Sequence, residues 1–364
     1  MIIRDITNYI EELAPLNYAE DFDNVGLLVG NYSTSVSGIL VTLDTLEETV
    51  EEAIAKNCNL IISFHPIIFG GLKKLNGNSY VERVVLKAIK NDIAIYATHT
   101  ALDNSKNGVS AKMCEVLGLE NTKILIPKKG IIKKMTTYVP TKNAEELRNS
   151  LFSAGAGNIG NYDNCSFNTK GEGTYRGNEN SNPTIGEKGK NHTENETKIS
   201  VTFESKNEAA VLKALQNNHP YEEIAYEIVT TENIHQNIGM GMIGELPLEM
   251  DEKDFLLFLK KKMKTGCVRH SNLINKKIKK VAVLGGSGSF AISNAKRAGA
   301  DAYVSADFKY HEFFKAENQI LLADIGHYES EQYTKNLLVD YLTKKFSNFA
   351  IILSEKSTNP IYYI

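Results

Sequence analysis

The 364-residue chain has no tryptophan and only four cysteines. The missing tryptophan excludes nothing. Cys58, Cys114, Cys165 and Cys267 are widely separated and form no C-x-x-C pair. That argues against a structural zinc knuckle and against a disulfide framework. Reduced, mostly buried thiols in a cytoplasmic protein are the expectation. There is no run of about 18 apolar residues, so no membrane-spanning helix is expected. The stretch MIIRDITNYIEELAPLNYAEDFDN carries acids inside its apolar pattern, unlike a secretory signal. An excess of one charge sign is also missing. Lys and Arg number 41 against 44 Asp and Glu, for a net charge of -3. The whole chain therefore lacks the electrostatic footprint of a nucleic-acid binder. Neither a membrane nor nucleic acid is an expected partner.

What is present is an ordinary globular composition, 42% hydrophobic and 23% charged, in a chain long enough for two or three domains. Residues 1–127 alternate apolar runs with helical patterns. Ile6, Ile10 and Leu13 fall at helical spacing before Pro15. GILVTLD, NLIISFHP and IAIYATHTALD read as buried strands, with TLEETVEEAIAKN and YVERVVLKAIKND as helices between them. That order implies an α/β fold with a parallel sheet covered on both faces. Residues 128–234 change character. MTTYVP and ISVTFE read as strands, AEELRNSLFSAG and NEAAVLKALQNN as helices, together a small α+β module of split βαβ type. Within it, residues 168–198 are polar and nearly free of aliphatics, and read as a long exposed mobile loop. Residues 235–364 return to α/β, with KKVAVLGGSGSF as a strand entering a glycine turn and ILLADIGHYESE as a strand entering a helix.

Ligands in open α/β sheets gather beyond the carboxyl ends of strands. Three apolar runs end in residues that bind metals: His65, then His99 with Asp103, then His327 with Glu331. Such a mixture suits zinc, manganese or iron better than calcium, which prefers oxygen throughout. His327 and Glu331 are four apart and share a face on a first helical turn; Glu329 points away and reads as a surface acid. His99 and Asp103 have the same interval after a strand, where His99 can instead orient Asp103. GGSGSF lacks both the dinucleotide and the P-loop spacing. It reads equally as an anion-facing turn or as a tight structural turn. Asp307 and His311, again four apart, either line the same cleft or form a local pair. Asp23, Asn24 and Gly26 read as a turn.

Taken together, DNVGLLVG, VTLD, the His-Pro of SFHPIIFGGLKKL, ATHTALDNSKNGVS, GGSGS, GADAYVSADFKYHEF and DIGHYESE resemble the Nif-three-like family, also called GTP cyclohydrolase I type 2 homologues. GAGNIGNYDNCSF, GEGTYRG and HPYEEIAYEI resemble the PII-like module inserted in longer bacterial members. The resemblance implies two α/β halves flanking a ferredoxin- or PII-like insert, a two-metal site between the halves, and a homohexameric ring built as a trimer of dimers. By motif it implies that His65 and Asp103 bind one metal, His327 binds the other, and Glu331 bridges both. Phe64 departs from the pattern. Many members have a histidine there that binds the second metal, and a phenyl ring cannot. One or two divalent ions per chain are thus expected, the second weaker. The implied activity is metal-dependent hydrolysis of a nucleotide or other phosphorylated small molecule. The competing expectation is a non-catalytic metal-binding, metal-delivery or regulatory assembly, with the insert as sensor or lid.

Overall fold

The computed structural model describes all residues, 1–364, and has a mixed α/β architecture with three sheets. The chain divides into two compact units. One combines Met1–Pro127 with Gln236–Ile364; the other is Lys128–His235.

The larger unit holds two sheets. The first orders its strands Gly26–Val29, Ala94–Ala97, Leu60–Ser63, Ile39–Thr42 and Ile351–Leu353. All neighbours are parallel except the edge pair of Gly26–Val29 with Ala94–Ala97. ILVT, LIIS and AIYA are buried at every position. Helices cover both faces of such strands, so continuous apolar runs replace alternation. The helix Ile3–Leu13 buries Ile3, Ile6, Ile10 and Leu13 against this sheet. Ser79 caps the helix Tyr80–Lys90 by accepting from the Glu82 amide. The second sheet orders Arg269–His270, Leu321–Asp324, Ala302–Ala306, Lys277–Ser287, Gly239–Asp251 and Glu120–Pro127. Its three central strands, from Lys277 to Asp324, are parallel. The two sheets exchange strands: Glu120–Pro127 crosses into the second, and Ile351–Leu353 returns to the first. The two α/β halves are therefore not simple consecutive blocks of sequence.

The smaller unit is a four-stranded antiparallel sheet in the order Phe167–Tyr175, His192–Glu204, Ile132–Pro140, Tyr226–Thr230. Helices Ala144–Ser153 and Glu208–Asn218 pack on it through Leu147, Leu151, Val211 and Leu215. This is the β-α-β-β-α-β order of a split βαβ. The polar stretch 168–198, expected as one loop, is a strand at both ends: Phe167–Tyr175 pairs throughout with Ser200–His192. Phe167–Tyr175 is an edge strand with no buried position, and an edge strand without a covered face needs no apolar alternation. All four thiols are free, but only Cys58 and Cys114 are buried. No helix is long and apolar enough to cross a membrane.

Candidate metal centre

The residues with chemistry all lie just past the carboxyl ends of parallel strands in the larger unit. Asp44 follows Ile39–Thr42, His65 follows Leu60–Ser63, and His99 and Asp103 follow Ala94–Ala97. In the second sheet, Asp307 follows Ala302–Ala306 and His327 follows Leu321–Asp324. Strand polarity brings these ends together although the residues are far apart in sequence.

The short helix His327–Glu331 sets the centre. One turn of helix places His327 Nε2 3.2 Å from Glu331 Oε2. His65 Nε2, from the other sheet, is 3.1 Å from the same oxygen. Neither contact has hydrogen-bond geometry, so this buried oxygen has no hydrogen-bond partner. Ligand atoms of His65, His327 and Glu331 all lie within 4.8 Å of one another, and the group could hold one metal ion. A buried carboxylate oxygen with no aligned hydrogen bond is costly. A cation among these three groups would satisfy it, so the residues fit a metal.

The far side of each ring is also built for that task. Nδ1 of His65 donates to Asp44 Oδ1 at 2.7 Å, and Nδ1 of His327 donates to Asp307 Oδ2 at 2.7 Å. A carboxylate can only accept, so each Nδ1 carries the proton and each Nε2 faces the centre. Asp44 is held in turn by the Thr358 hydroxyl, and Asp307 by the Ser287 hydroxyl. Burial lowers the pKa of His65, but Asp44 and Glu331 more than offset it and push it up to about 10. His327 is desolvated too, yet Asp307 and Glu331 raise it to about 11. Burial opposes ionisation of Glu331, but His327 and His65 bring it down to about 2. Without a cation, the cluster therefore balances its carboxylates with two imidazolium protons.

A cleft of about 250 Å³ opens onto the centre, lined among others by His99, Asp103, His327, Glu331 and the rings of Phe22 and Phe290. Burial and the nearby Glu331 charge raise the Asp103 carboxyl well above the usual range, against the opposing pull of His65 and His327. His99 Nδ1 donates to Asp23 Oδ1 at 2.7 Å. Asp23 also accepts from the Thr100 amide and hydroxyl. Burial raises the Asp23 pKa, but His99 and Thr100 more than offset this, and it lies below its ordinary value.

A family model described as Duf34/NIF3 (NGG1p interacting factor 3) matches residues 1–360. The chain belongs to the Duf34/NIF3 family. A Bacillus subtilis protein named GTP cyclohydrolase 1 type 2 homolog is 38% identical over 99% of this chain and 98% of its own length. Among solved structures, a Bacillus cereus protein related to NIF3 superposes with a TM-score of 0.84 at 35% identity, covering 100% of this chain and 99% of that one. The Staphylococcus aureus protein SA1388 does so with a TM-score of 0.80 at 31% identity, covering 100% and 99%.

In this Duf34/NIF3 chain the residues singled out by motif have distinct fates. His65, His327 and Glu331 converge, and Asp103 lines the adjoining cleft. Phe64 is fully buried, with its ring centroid 4.8 Å from that of His65 and 5.6 Å from that of His99. Asp307 serves His327 and not His311. Its left-handed φ of 58° breaks the helical geometry that the four-residue spacing assumes. His311 is exposed and packs against Tyr310 and Phe314, outside the cleft. Glu329 is not a surface acid: it is 6% exposed and accepts from Asn359 Nδ2 at 3.2 Å. Within the glycine run, Gly286 serves the carboxylate. The Gly286 amide is spent on Ser330 Oγ at 2.8 Å, and a Cβ at 286 would overlap Glu331 Oε1. Its glycine makes room for the carboxylate. Asp44 and Asp23 were missed as imidazole partners. Their position at a strand end and in a turn was visible, but their partners lie 21 and 76 residues away.

Proposed function

We propose that the chain is a metal-dependent hydrolase of a nucleotide or a related phosphoester, with a divalent ion held by His65, His327 and Glu331 and with Asp103 as a further ligand or acid. The observation that carries this reading is the buried Glu331 Oε2, which has no hydrogen bond and faces two imidazoles that are each backed by a carboxylate. The donor set of nitrogen and oxygen suits zinc, manganese or iron.

When bound, such an ion supplies Lewis acidity toward a phosphoryl or ring-carbon centre. The chain's own groups supply the proton handling. Burial and the Glu331 charge favour the protonated form of Asp103, and where it does not ligate the ion that carboxyl can give a proton to a leaving oxygen. His99, with Nδ1–H tied to Asp23, presents Nε2 at the cleft wall. Phe22 and Phe290 are 67% and 55% exposed at the cleft, unusual for rings of this size. They offer faces for a heteroaromatic ring. The relatives named GTP cyclohydrolase 1 type 2 homolog fit a purine nucleotide as that ring's source.

The test is a panel of nucleotides and phosphoesters assayed with the metal-loaded chain. Turnover should appear with at least one of them and vanish in Glu331→Gln, which should also lose the metal. The burial of Phe64 where an imidazole would add a ligand favours a second reading, a non-catalytic metal-holding assembly. Metal uptake without turnover anywhere on the panel would put that reading first.

A further inference from the structure

The smaller unit, Lys128–His235, contains a cavity of its own of about 370 Å³, within the size range of small-molecule sites. Tyr138, Tyr175 and Tyr221 line it, together with Glu196, Arg176 and the neighbouring Glu222 and Glu223. Its wall is tied down at three points. Tyr175 Oη donates to the Ile185 carbonyl at 2.9 Å, the Asn182 amide to Glu222 Oε1 at 2.6 Å, and Thr184 Oγ1 to the Pro220 carbonyl at 2.7 Å.

Glu196 is the informative residue. It is only 9% exposed, and a carboxylate that deep needs compensation. Its side chain accepts one hydrogen bond, from the Tyr221 hydroxyl to Oε1 at 2.9 Å. Oε2 is left for something else. The neighbouring strand makes way for it: a Cβ at Gly173 would overlap the Glu196 carboxylate. Around the carboxylate, Tyr175 and Tyr221 meet edge to face at 5.8 Å, with His192 and His219 each 5.3 Å from one of them. Aromatic faces carry negative potential and attract cations. The acids Glu196, Glu222 and Glu223 outnumber Arg176 in the wall. Charge and rings thus favour the same kind of guest.

We propose that this cavity binds a small organic cation with N–H donors, its charged end on Glu196 Oε2 and its flat or apolar body against the tyrosines. Arg176, exposed in the same wall, is not the group that holds the guest.

Three isosteric probes test this on the full chain by titration calorimetry: benzamidine, neutral benzamide and anionic benzoate. Benzamidine should bind at least about tenfold more tightly than the other two. Glu196→Gln should weaken benzamidine by about tenfold or more, while Arg176→Ala, which removes a like charge, should not weaken it. Circular dichroism would confirm that both variants fold, and the isostere comparison needs no variant. Benzoate binding as well as benzamidine, loss of binding in Arg176→Ala, full binding in Glu196→Gln, or no benzamidine heat at millimolar concentration would each overturn the proposal. A benzoate preference lost in Arg176→Ala would assign the cavity to an anion instead.

Discussion

Alanine at position 286 should strip the metal centre of affinity while leaving the fold in place. Gly286 has a φ of +68°, and an added Cβ would lie inside the 3.0 Å that real Cβ atoms essentially never breach with Glu331 Oε1, and 3.3 Å from His327 Cε1. Two costs must be separated. The left-handed backbone costs any L residue about 1–2 kcal/mol, which in a protein of this size lowers the melting temperature by only ~1–3 °C. The second cost is local. The carboxylate must retreat by ~0.5 Å or more, while metal–ligand distances tolerate only about 0.2 Å. A displaced ligand of this kind should weaken binding by roughly 10–100-fold. Gly299 supplies the control. Its φ is +72° and nothing lies within 4 Å of its would-be Cβ. Gly299→Ala should therefore share the backbone cost and keep full affinity. Competition of each variant against a chromophoric zinc chelator reads the difference. Equal zinc affinity in Gly286→Ala and Gly299→Ala would refute the view that this glycine exists to seat Glu331.

The carboxylates behind the rings should matter nearly as much as the ligands. Asp44→Asn and Asp307→Asn should each weaken zinc binding by about 10–100-fold, measured in the same competition; wild-type affinity in both would sink their assigned role. Metal binding should strengthen steeply with pH. His65 and His327 are raised to about 10 and about 11, and an ion must displace both protons. Affinity should climb by up to ~100-fold per pH unit between about 6.5 and 9. Proton release near two per ion, from calorimetry in buffers of different ionisation heat, would agree, and release near zero would not. The metal-free chain should show the opposite trend. Stability from these raised imidazoles is fully present below pH 6.5 and is lost as pH rises through about 10 to 11. Phe64→His should add an imidazole between His65 and His99 and raise the number of ions bound per chain, at about 1–3 kcal/mol of stability; an unchanged ion count by elemental analysis would contradict that.

Much of the architecture could be read from residue patterns because the physics is local. ILVT, LIIS and AIYA are strands buried on both faces, and their apolar continuity announces it. The pairing of His327 with Glu331 was legible because one helical turn fixes it. Long-range partnerships were not. Whether Asp44 reaches His65 depends on two adjacent strands ending level, which no local pattern encodes. Asp307 shows spacing failing outright: four residues separate it from His311, but its backbone leaves the helical region and its carboxylate turns to His327. Glu329 reads as a surface acid from its spacing, yet it is buried and held by Asn359 from the far end of the chain. Glycine's purpose at 286 was hidden for the same reason. Its neighbour is a side chain 45 residues on, visible only once the sheet and the short helix stand together.

The most direct check of the metal centre is elemental analysis of the chain purified without added metal, joined to an anomalous scattering map. The account predicts a transition-metal peak within bonding distance of His65 Nε2, His327 Nε2 and Glu331. A crystal soaked in zinc that shows no peak there, or an ion bound with those three side chains turned away, would contradict it.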